Sequence, residues 1–113
     1  MNEKDEKRVV LKVDLPKKLK FQFKVICTQK KSTMSNVIEE LILRWIQANA
    51  YTDNFISEPE EKDNEDLKGY ISESLKIDFK TLCVQNKITM RYVLYNLIRH
   101  WILTEKKFEL KNI

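Results

Sequence analysis

The sequence contains little of what loop-rich proteins, membrane proteins and secreted proteins require. Its 113 residues include one glycine and two prolines, which argues against a loop-rich sandwich and favours helices. No apolar run approaches the length of about 18 residues that would indicate a membrane span. The first eight residues are mostly charged and lack the apolar stretch of a signal peptide, so we expect a cytoplasmic protein.

Residues that carry chemistry are also scarce. The single histidine, His100, cannot make a metal site by itself. The chain offers no Ser/His/Asp set, no glycine-rich phosphate loop and no carboxylate pair tied to a cleft. We therefore expect no catalytic residue, no metal and no cofactor, and hence a protein that is not an enzyme.

The two cysteines, Cys27 and Cys83, have no metal-type spacing. In a chain expected to be intracellular they predict two small buried hydrophobic side chains. A disulfide between them stays open, because the symmetry described next could bring them together.

The chain contains one passage twice. Residues 19–46 align without a gap with residues 75–102, at an offset of 56 positions, and 14 of the 28 aligned positions are identical by direct count. Each copy is about forty residues long, which is too short to bury an adequate core alone. The two copies should therefore pack on each other as one folding unit.

Charge is distributed unevenly along the chain. The net charge of +4 combines +5 over residues 1–50, −6 over residues 51–66 and +5 over residues 67–113. Both repeats are basic and the acid lies between them. A basic surface suggests a polyanionic partner, although charge alone does not separate nucleic acid from a solvated surface.

Each repeat has the hydrophobic pattern of a strand followed by two helices. Residues 8–15 alternate with period two, and Pro16 ends the strand. A helical apolar face follows at Leu19, Phe23 and Ile26, then a second helix that Thr33 can cap. We expect the two tryptophans, Trp45 and Trp101, to pack in the core or between the repeats rather than to stack on bases, because they lie in phase with the apolar stripe.

The second copy repeats this order, and Ser72 can cap its first helix. Gly69 interrupts the predicted strand, which weakens it or marks a close backbone approach. The predicted boundaries are an N-terminal arm (1–7), a first repeat (8–46), an acidic flexible linker (47–65), a second repeat (66–103) and a C-terminal tail (104–113).

A basic strand, a helix and a Thr-capped helix resemble the ribbon-helix-helix family of DNA-binding proteins, which includes the Arc and MetJ repressors. The matching segments are 12–16, the face of Leu19, Phe23 and Ile26, and 33–38, and in the second copy 68–72, the face of Leu75, Phe79 and Leu82, and 89–94. The tandem arrangement resembles the plasmid TraY proteins. The resemblance implies a mostly α fold with a short two-stranded antiparallel ribbon, in which two ribbon-helix-helix repeats form a single-chain pseudo-dimer.

The resemblance also implies a partner, double-stranded DNA, whose major groove would receive the ribbon. Carried over by position, the base-contacting candidates on the ribbon are Val10, Lys12, Asp14, Asp66, Lys68 and Tyr70. Lys12 and Lys68 occupy the same central position and can donate to guanine. The two aspartates depart from the family's polar or basic pattern, and for Asp14 we favour the simpler role of capping the first helix.

Phosphate contacts are expected where the second helix of each repeat begins, because free N–H groups and the helix dipole attract anions there. The candidates are Lys31, Thr33, Met34, Ser35, Lys87, Thr89, Met90 and Arg91, together with Arg8 on the N-terminal side. Such contacts position a protein on DNA without reading its sequence.

The leading hypothesis is a transcriptional regulator or an accessory protein of DNA maintenance or transfer. Its alternatives are a helical protein-interaction module of the antitoxin or adaptor kind, and an RNA-binding protein. Self-association of pseudo-dimers also stays open.

Overall fold

Each repeat begins with a strand whose side chains alternate between core and solvent. The computed structural model describes residues 6–60 and 62–111, with side chains as far as Lys106, so residues 1–5 of the predicted arm lie outside the described residues. Strand β1 spans Arg8–Pro16 and strand β2 spans Asn64–Ser72. Buried residues alternate with exposed ones along both strands, which confirms the predicted strand periodicity.

The two strands pair antiparallel, and Lys12 lies opposite Lys68 at the centre of the register. The described chain therefore contains a two-stranded antiparallel sheet, as expected. Strand β2 starts two residues earlier than the sequence predicted. Its pairing continues to the end of β1, where Pro16 lies opposite Asn64.

Two helices follow each strand. They are α1 (Lys17–Gln29) and α2 (Met34–Gln47) after β1, and α3 (Glu73–Gln85) and α4 (Met90–Lys111) after β2. The fold is thus mixed α/β, with four helices and the two-stranded sheet in the described part of the chain. None of these helices has both the length and the apolar content needed to cross a bilayer.

Helix α4 continues through Lys111 and so extends into the segment 104–113, which the sequence assigned to a C-terminal tail. No glycine or proline interrupts this stretch, and its Glu, Lys and Leu residues favour the helix.

The predicted cap of the first helix is wrong. The N-cap of α1 is Pro16, and no side chain caps this helix. Asp14 lies on the outward side of β1 and is exposed, and its carboxylate lies 3.5 Å from Nε of Arg91. Instead, the amide of Lys17 donates to the carbonyl of Asp63, 2.9 Å away.

Three predicted caps are confirmed. The Thr33 hydroxyl accepts from the amide of Asn36 at 3.0 Å, and the Thr89 hydroxyl accepts from the amide of Tyr92 at 3.0 Å. The Ser72 hydroxyl accepts from the amide of Leu75 at 3.3 Å. Each satisfies an N–H group that the helix itself leaves without a partner.

The core lies between the sheet and the helices. Helix α2 packs on β2, α4 packs on β1, α1 packs on α4, and α2 packs on α3. Phe23 meets Trp101 edge-to-face with ring centroids 5.5 Å apart, and Trp45 meets Phe79 in the same way at 5.6 Å. Each tryptophan therefore packs against the other repeat; Trp45 is buried in the core, and Trp101 is half-buried against it.

Gly69 marks a close approach between β2 and α2. A Cβ atom added at this position would lie 3.0 Å from Cδ1 of Ile38. The missing side chain thus lets the helix lie close on the sheet, which accounts for a glycine within a strand.

Candidate nucleic-acid interface

The solvent face of the sheet carries the six ribbon residues that the sequence singled out. They form three directly opposed pairs across the strands: Val10 with Tyr70, Lys12 with Lys68, and Asp14 with Asp66. All six are exposed, while the side chains between them on each strand point into the core. The structure therefore brings these candidates together on one surface, which we call the ribbon face.

Charge on the ribbon face is partly compensated. The Lys12 Nζ lies 3.2 Å from a carboxylate oxygen of Asp66, and both side chains are about half exposed. Such an exposed ion pair contributes little to stability. Lys68 forms no ion pair among the described residues, so its ammonium is the uncompensated charge at the centre of the face.

Two of the three opposed pairs carry like charges. Lysine faces lysine, and aspartate faces aspartate at the next outward position. Like charges directly opposite each other on an antiparallel pair destabilise the sheet by up to about 1 kcal/mol. The Lys12–Asp66 and Arg91–Asp14 ion pairs offset part of this repulsion, and a polyanion above the lysines would relieve more of it.

The first turns of α2 and α4 lie against the backbone of the ribbon. The Ser35 hydroxyl accepts from the amide of Tyr70 at 2.9 Å, and Arg91 Nε donates to the carbonyl of Asp14 at 2.8 Å. Ser35 and Arg91 are repeat equivalents, as are Asp14 and Tyr70. Each second helix therefore starts beside one end of the ribbon face, where Met34 and Met90 are half-buried.

The lysines before these helices occupy an unusual backbone conformation. Lys31 and Lys87 have φ of 56° and 57°, in the left-handed region that favours glycine. Each lies just past the end of a helix in a Schellman arrangement: the amide of Ser32 bonds to the carbonyl of Cys27, and the amide of Ile88 bonds to that of Cys83. Both lysines are exposed.

The two arginine candidates are bound within the protein. Arg8 donates to the carbonyl of Tyr70 at 2.8 Å and forms an ion pair with Glu39 at 3.2 Å. Arg91 forms ion pairs with Asp14, at 3.5 Å, and with Glu58. A phosphate would have to share these guanidinium groups with the carboxylates or displace the carboxylates.

Sequence reasoning missed both carboxylate partners, Glu39 and Glu58. Glu39 also accepts from the amide of Ser72 at 3.0 Å. Glu39 is an ordinary polar position of an amphipathic helix, and Glu58 lies within a run of acids. Neither pattern identifies a partner more than thirty positions away in the sequence.

Sequence reasoning also missed a basic surface on α1. Lys17, Lys18, Lys20 and Lys24 surround the exposed ring of Phe21 at a shallow cavity beside the start of β2. Lys20 lies 3.3 Å from Glu65, which compensates part of this charge. The corresponding positions on α3 include Glu73 and Lys80, so the two repeats differ here.

Little in the described residues points to chemistry. No group of three or more histidine, cysteine, aspartate or glutamate side chains there could hold a metal ion. Cys27 and Cys83 are free and buried, and burial raises the pKa of each thiol to about 11. A thiol with so high a pKa is a poor nucleophile at neutral pH.

Comparisons of the chain with protein-family models, with curated proteins and with solved structures found no match. The arrangement of the ribbon face and the helix starts is therefore the basis for inferring function.

Proposed function

We propose that this chain is a single-chain pseudo-dimer of two ribbon-helix-helix units that binds double-stranded DNA through the ribbon face. The observation that carries the proposal is the central pairing of Lys12 with Lys68 on a sheet face whose outward side chains are exposed. The cellular role is that of a DNA-binding regulator or accessory protein in the cytoplasm.

Reciprocal contacts between the halves support the pseudo-dimer. The amide of Lys17 bonds to the carbonyl of Asp63, and the amide of Glu73 bonds to the carbonyl of Lys7, each at 2.9 Å. Donors and acceptors are both related by the offset of 56 residues. A two-fold interface has this property, because each contact from the first half to the second is repeated by the equivalent residues from the second half to the first.

The aromatic contacts follow the same rule. Phe23 and Phe79 are equivalent, as are Trp45 and Trp101, and each phenylalanine packs on the tryptophan of the other repeat. The folded unit therefore requires both repeats, in agreement with the small size of each one.

The ribbon face suits the major groove, which is wide enough for a two-stranded ribbon. Lys12 and Lys68 can donate to guanine O6 and N7, Tyr70 can donate to a base acceptor, and Val10 can contact a thymine methyl group. The aspartates are expected to accept hydrogen bonds from cytosine amino groups or to keep their ion pairs, Asp66 with Lys12 and Asp14 with Arg91.

The target site need not be a palindrome. Under the repeat offset Val10 corresponds to Asp66, and Asp14 corresponds to Tyr70, so only the central lysines are the same in both strands. A pseudosymmetric ribbon therefore presents different side chains to the two half-sites. Selection from a random duplex library tests this, and strongly palindromic half-sites for the monomeric chain would contradict it.

Phosphate binding is assigned to the starts of α2 and α4. The amides of Met34 and Ser35, and of Met90 and Arg91, precede the first intrahelical hydrogen bonds and can donate to a phosphate. The exposed amines of Lys31 and Lys87 flank these positions.

A charge-matched pair of double variants tests the proposal. Lys12→Ala with Lys68→Ala removes the two central amines, whereas Arg44→Ala with Lys106→Ala removes the same charge from exposed positions on α2 and α4 outside the ribbon face. We expect the first to abolish salt-dependent duplex binding and the second to retain it. Circular dichroism verifies that both remain folded.

Equal binding by the two double variants would refute the proposed interface. Competition with duplex RNA provides a further test. RNA has a deep and narrow major groove that a ribbon cannot enter, so duplex RNA should compete poorly with DNA. Preferential binding of RNA would favour the alternative function instead.

A further inference from the structure

The segment between α2 and β2 packs on the first turns of α4. The ring of Phe55 meets that of Tyr92 edge-to-face, with centroids 5.6 Å apart. The backbone of Ile56 forms two hydrogen bonds with the side-chain amide of Asn96, of 2.8 and 3.0 Å. Asn96 is 4% exposed and also donates to the carbonyl of Tyr92, so these contacts hold the segment at a defined position.

This packing brings Glu58 to Arg91 at the start of α4. The two side chains form an ion pair and are 20% and 30% exposed, respectively. Arg91 also binds the carbonyl and the carboxylate of Asp14 on the ribbon. Glu58 therefore lies beside the ribbon face as an anionic group bound to the guanidinium expected to contact phosphate.

The equivalent position in the first repeat is different. Ser35 stands where the second repeat has Arg91, and its hydroxyl accepts from the Tyr70 amide. Among the described residues, no carboxylate of the segment 48–63 bonds to the first turn of α2. Among the described residues, the linker thus supplies a carboxylate to the α4 end of the ribbon face, whereas the carboxylate bound to an arginine at the other end, Glu39 on Arg8, belongs to α2 itself.

We infer that Glu58 competes with DNA phosphate for Arg91, so that the linker restrains one half of the DNA contact. This inference rests on the proposed function and adds a regulatory element to it. Full DNA contact at the α4 end therefore requires displacement of Glu58 from Arg91. A carboxylate and a phosphate oxygen present similar acceptors to a guanidinium, so one can replace the other.

The test compares Glu58→Gln with Glu60→Gln, a linker variant of equal charge change at an exposed position. Freeing Arg91 for one further phosphate should steepen the salt dependence of log K by about 0.9 and tighten duplex binding roughly eightfold at about 0.1 M salt. Glu60→Gln should show much less of either effect.

The same substitution made in a second variant separates competition between Glu58 and phosphate from a purely structural role of Glu58. In an Arg91→Gln chain, the Glu58→Gln substitution should no longer tighten binding, because the group that it releases is absent. Thermal unfolding of all variants establishes that they are folded. If Glu58 only anchored the linker, Glu58→Gln would lower the unfolding temperature and leave the salt slope unchanged, which would overturn the inference.

The outcomes distinguish the two proposals. If the original chain binds duplex DNA and Glu58→Gln binds with the same affinity and slope, the inference fails and the proposed function stands. An equal gain from Glu58→Gln and Glu60→Gln would also overturn the inference, because it would reflect net charge alone. If no folded variant binds duplex DNA, the proposed function fails and the inference fails with it.

Discussion

Replacing Lys68 by threonine should stabilise the fold and weaken DNA binding at the same time. Lys68 faces Lys12 directly across the sheet, and no described residue forms an ion pair with it. Removing one of two directly opposed like charges recovers up to about 1 kcal/mol, and threonine has a higher strand propensity than lysine.

We take about 0.5 kcal/mol as the net gain in the free energy of unfolding, because both lysines are exposed and solvent screens their repulsion. For a domain of this size, that gain corresponds to an increase of about 2 °C in the midpoint of thermal unfolding. Differential scanning calorimetry and urea denaturation can both resolve a change of this size.

The same substitution should weaken duplex binding. A good side-chain contact to a base edge contributes about 1–3 kcal/mol of discrimination, so loss of this contact should lower affinity about 5- to 150-fold. Fluorescence anisotropy with a labelled duplex measures this directly. Lys106→Gln, which removes an equal charge from α4, serves as the matched control and should bind nearly as the original chain does.

Opposite signs of the two effects are the diagnostic result. Replacing a functional residue that costs stability is expected to have these opposite effects, whereas replacing a structural residue lowers both stability and DNA binding. If Lys68→Thr destabilised the protein, or left DNA binding unchanged, the reasoning about the ribbon face would be refuted.

Three further predictions concern the backbone, the core and the thiols. Lys31→Gly and Lys87→Gly should each stabilise the fold by about 1 kcal/mol in urea denaturation, because glycine adopts the left-handed conformation without strain, yet each should weaken duplex binding; lower stability would contradict this. Gly69→Val should destabilise by about 1–3 kcal/mol in the same assay, because added carbon atoms would overlap Ile38, and an unchanged midpoint would contradict it. Burial raises the pKa values of Cys27 and Cys83 from 9.0 to about 11. Stability should therefore fall as pH rises from about 9 to about 11, because the unfolded chain loses its thiol protons first in this range. A double Cys→Ala variant should lose this pH dependence, and an unchanged pH profile of its stability would contradict the assignment.

The ribbon face could be predicted from the sequence because it depends on local periodicity. Alternation in β1 places Lys12 outward without any knowledge of the helices. Lys68 follows from the repeat offset, even though Gly69 interrupts the pattern of β2. The helix starts at Thr33 and Thr89 were equally local, because a capping hydroxyl bonds within its own turn.

The partners of these residues could not be predicted in the same way. Arg91 joins Asp14, which precedes it by 77 positions, and Glu58, which precedes it by 33. Ion pairs of this kind depend on how elements pack, and a run of acids gives no indication of which carboxylate is used. The acidic linker illustrates the limit: its composition suggested a flexible segment, whereas Phe55 and Ile56 have specific partners on α4.

The ends of α1 and α4 show how local propensity and tertiary context interact. Aspartate is a residue type that often caps helices, but the strand places Asp14 on its outward side. The first amide of α1, that of Lys17, donates instead to the backbone carbonyl of Asp63. Helix α4 continues past the predicted boundary because nothing in its sequence stops it.

The most direct test of the central claim is to follow backbone amide resonances of the isotope-labelled chain during titration with duplex DNA. We predict that the largest shifts fall on residues 10–14 and 66–70 and at the starts of α2 and α4, while the exposed positions around Arg44 and Lys106 change little. Shifts confined to those distant helix surfaces, or no shifts at saturating duplex, would contradict the account.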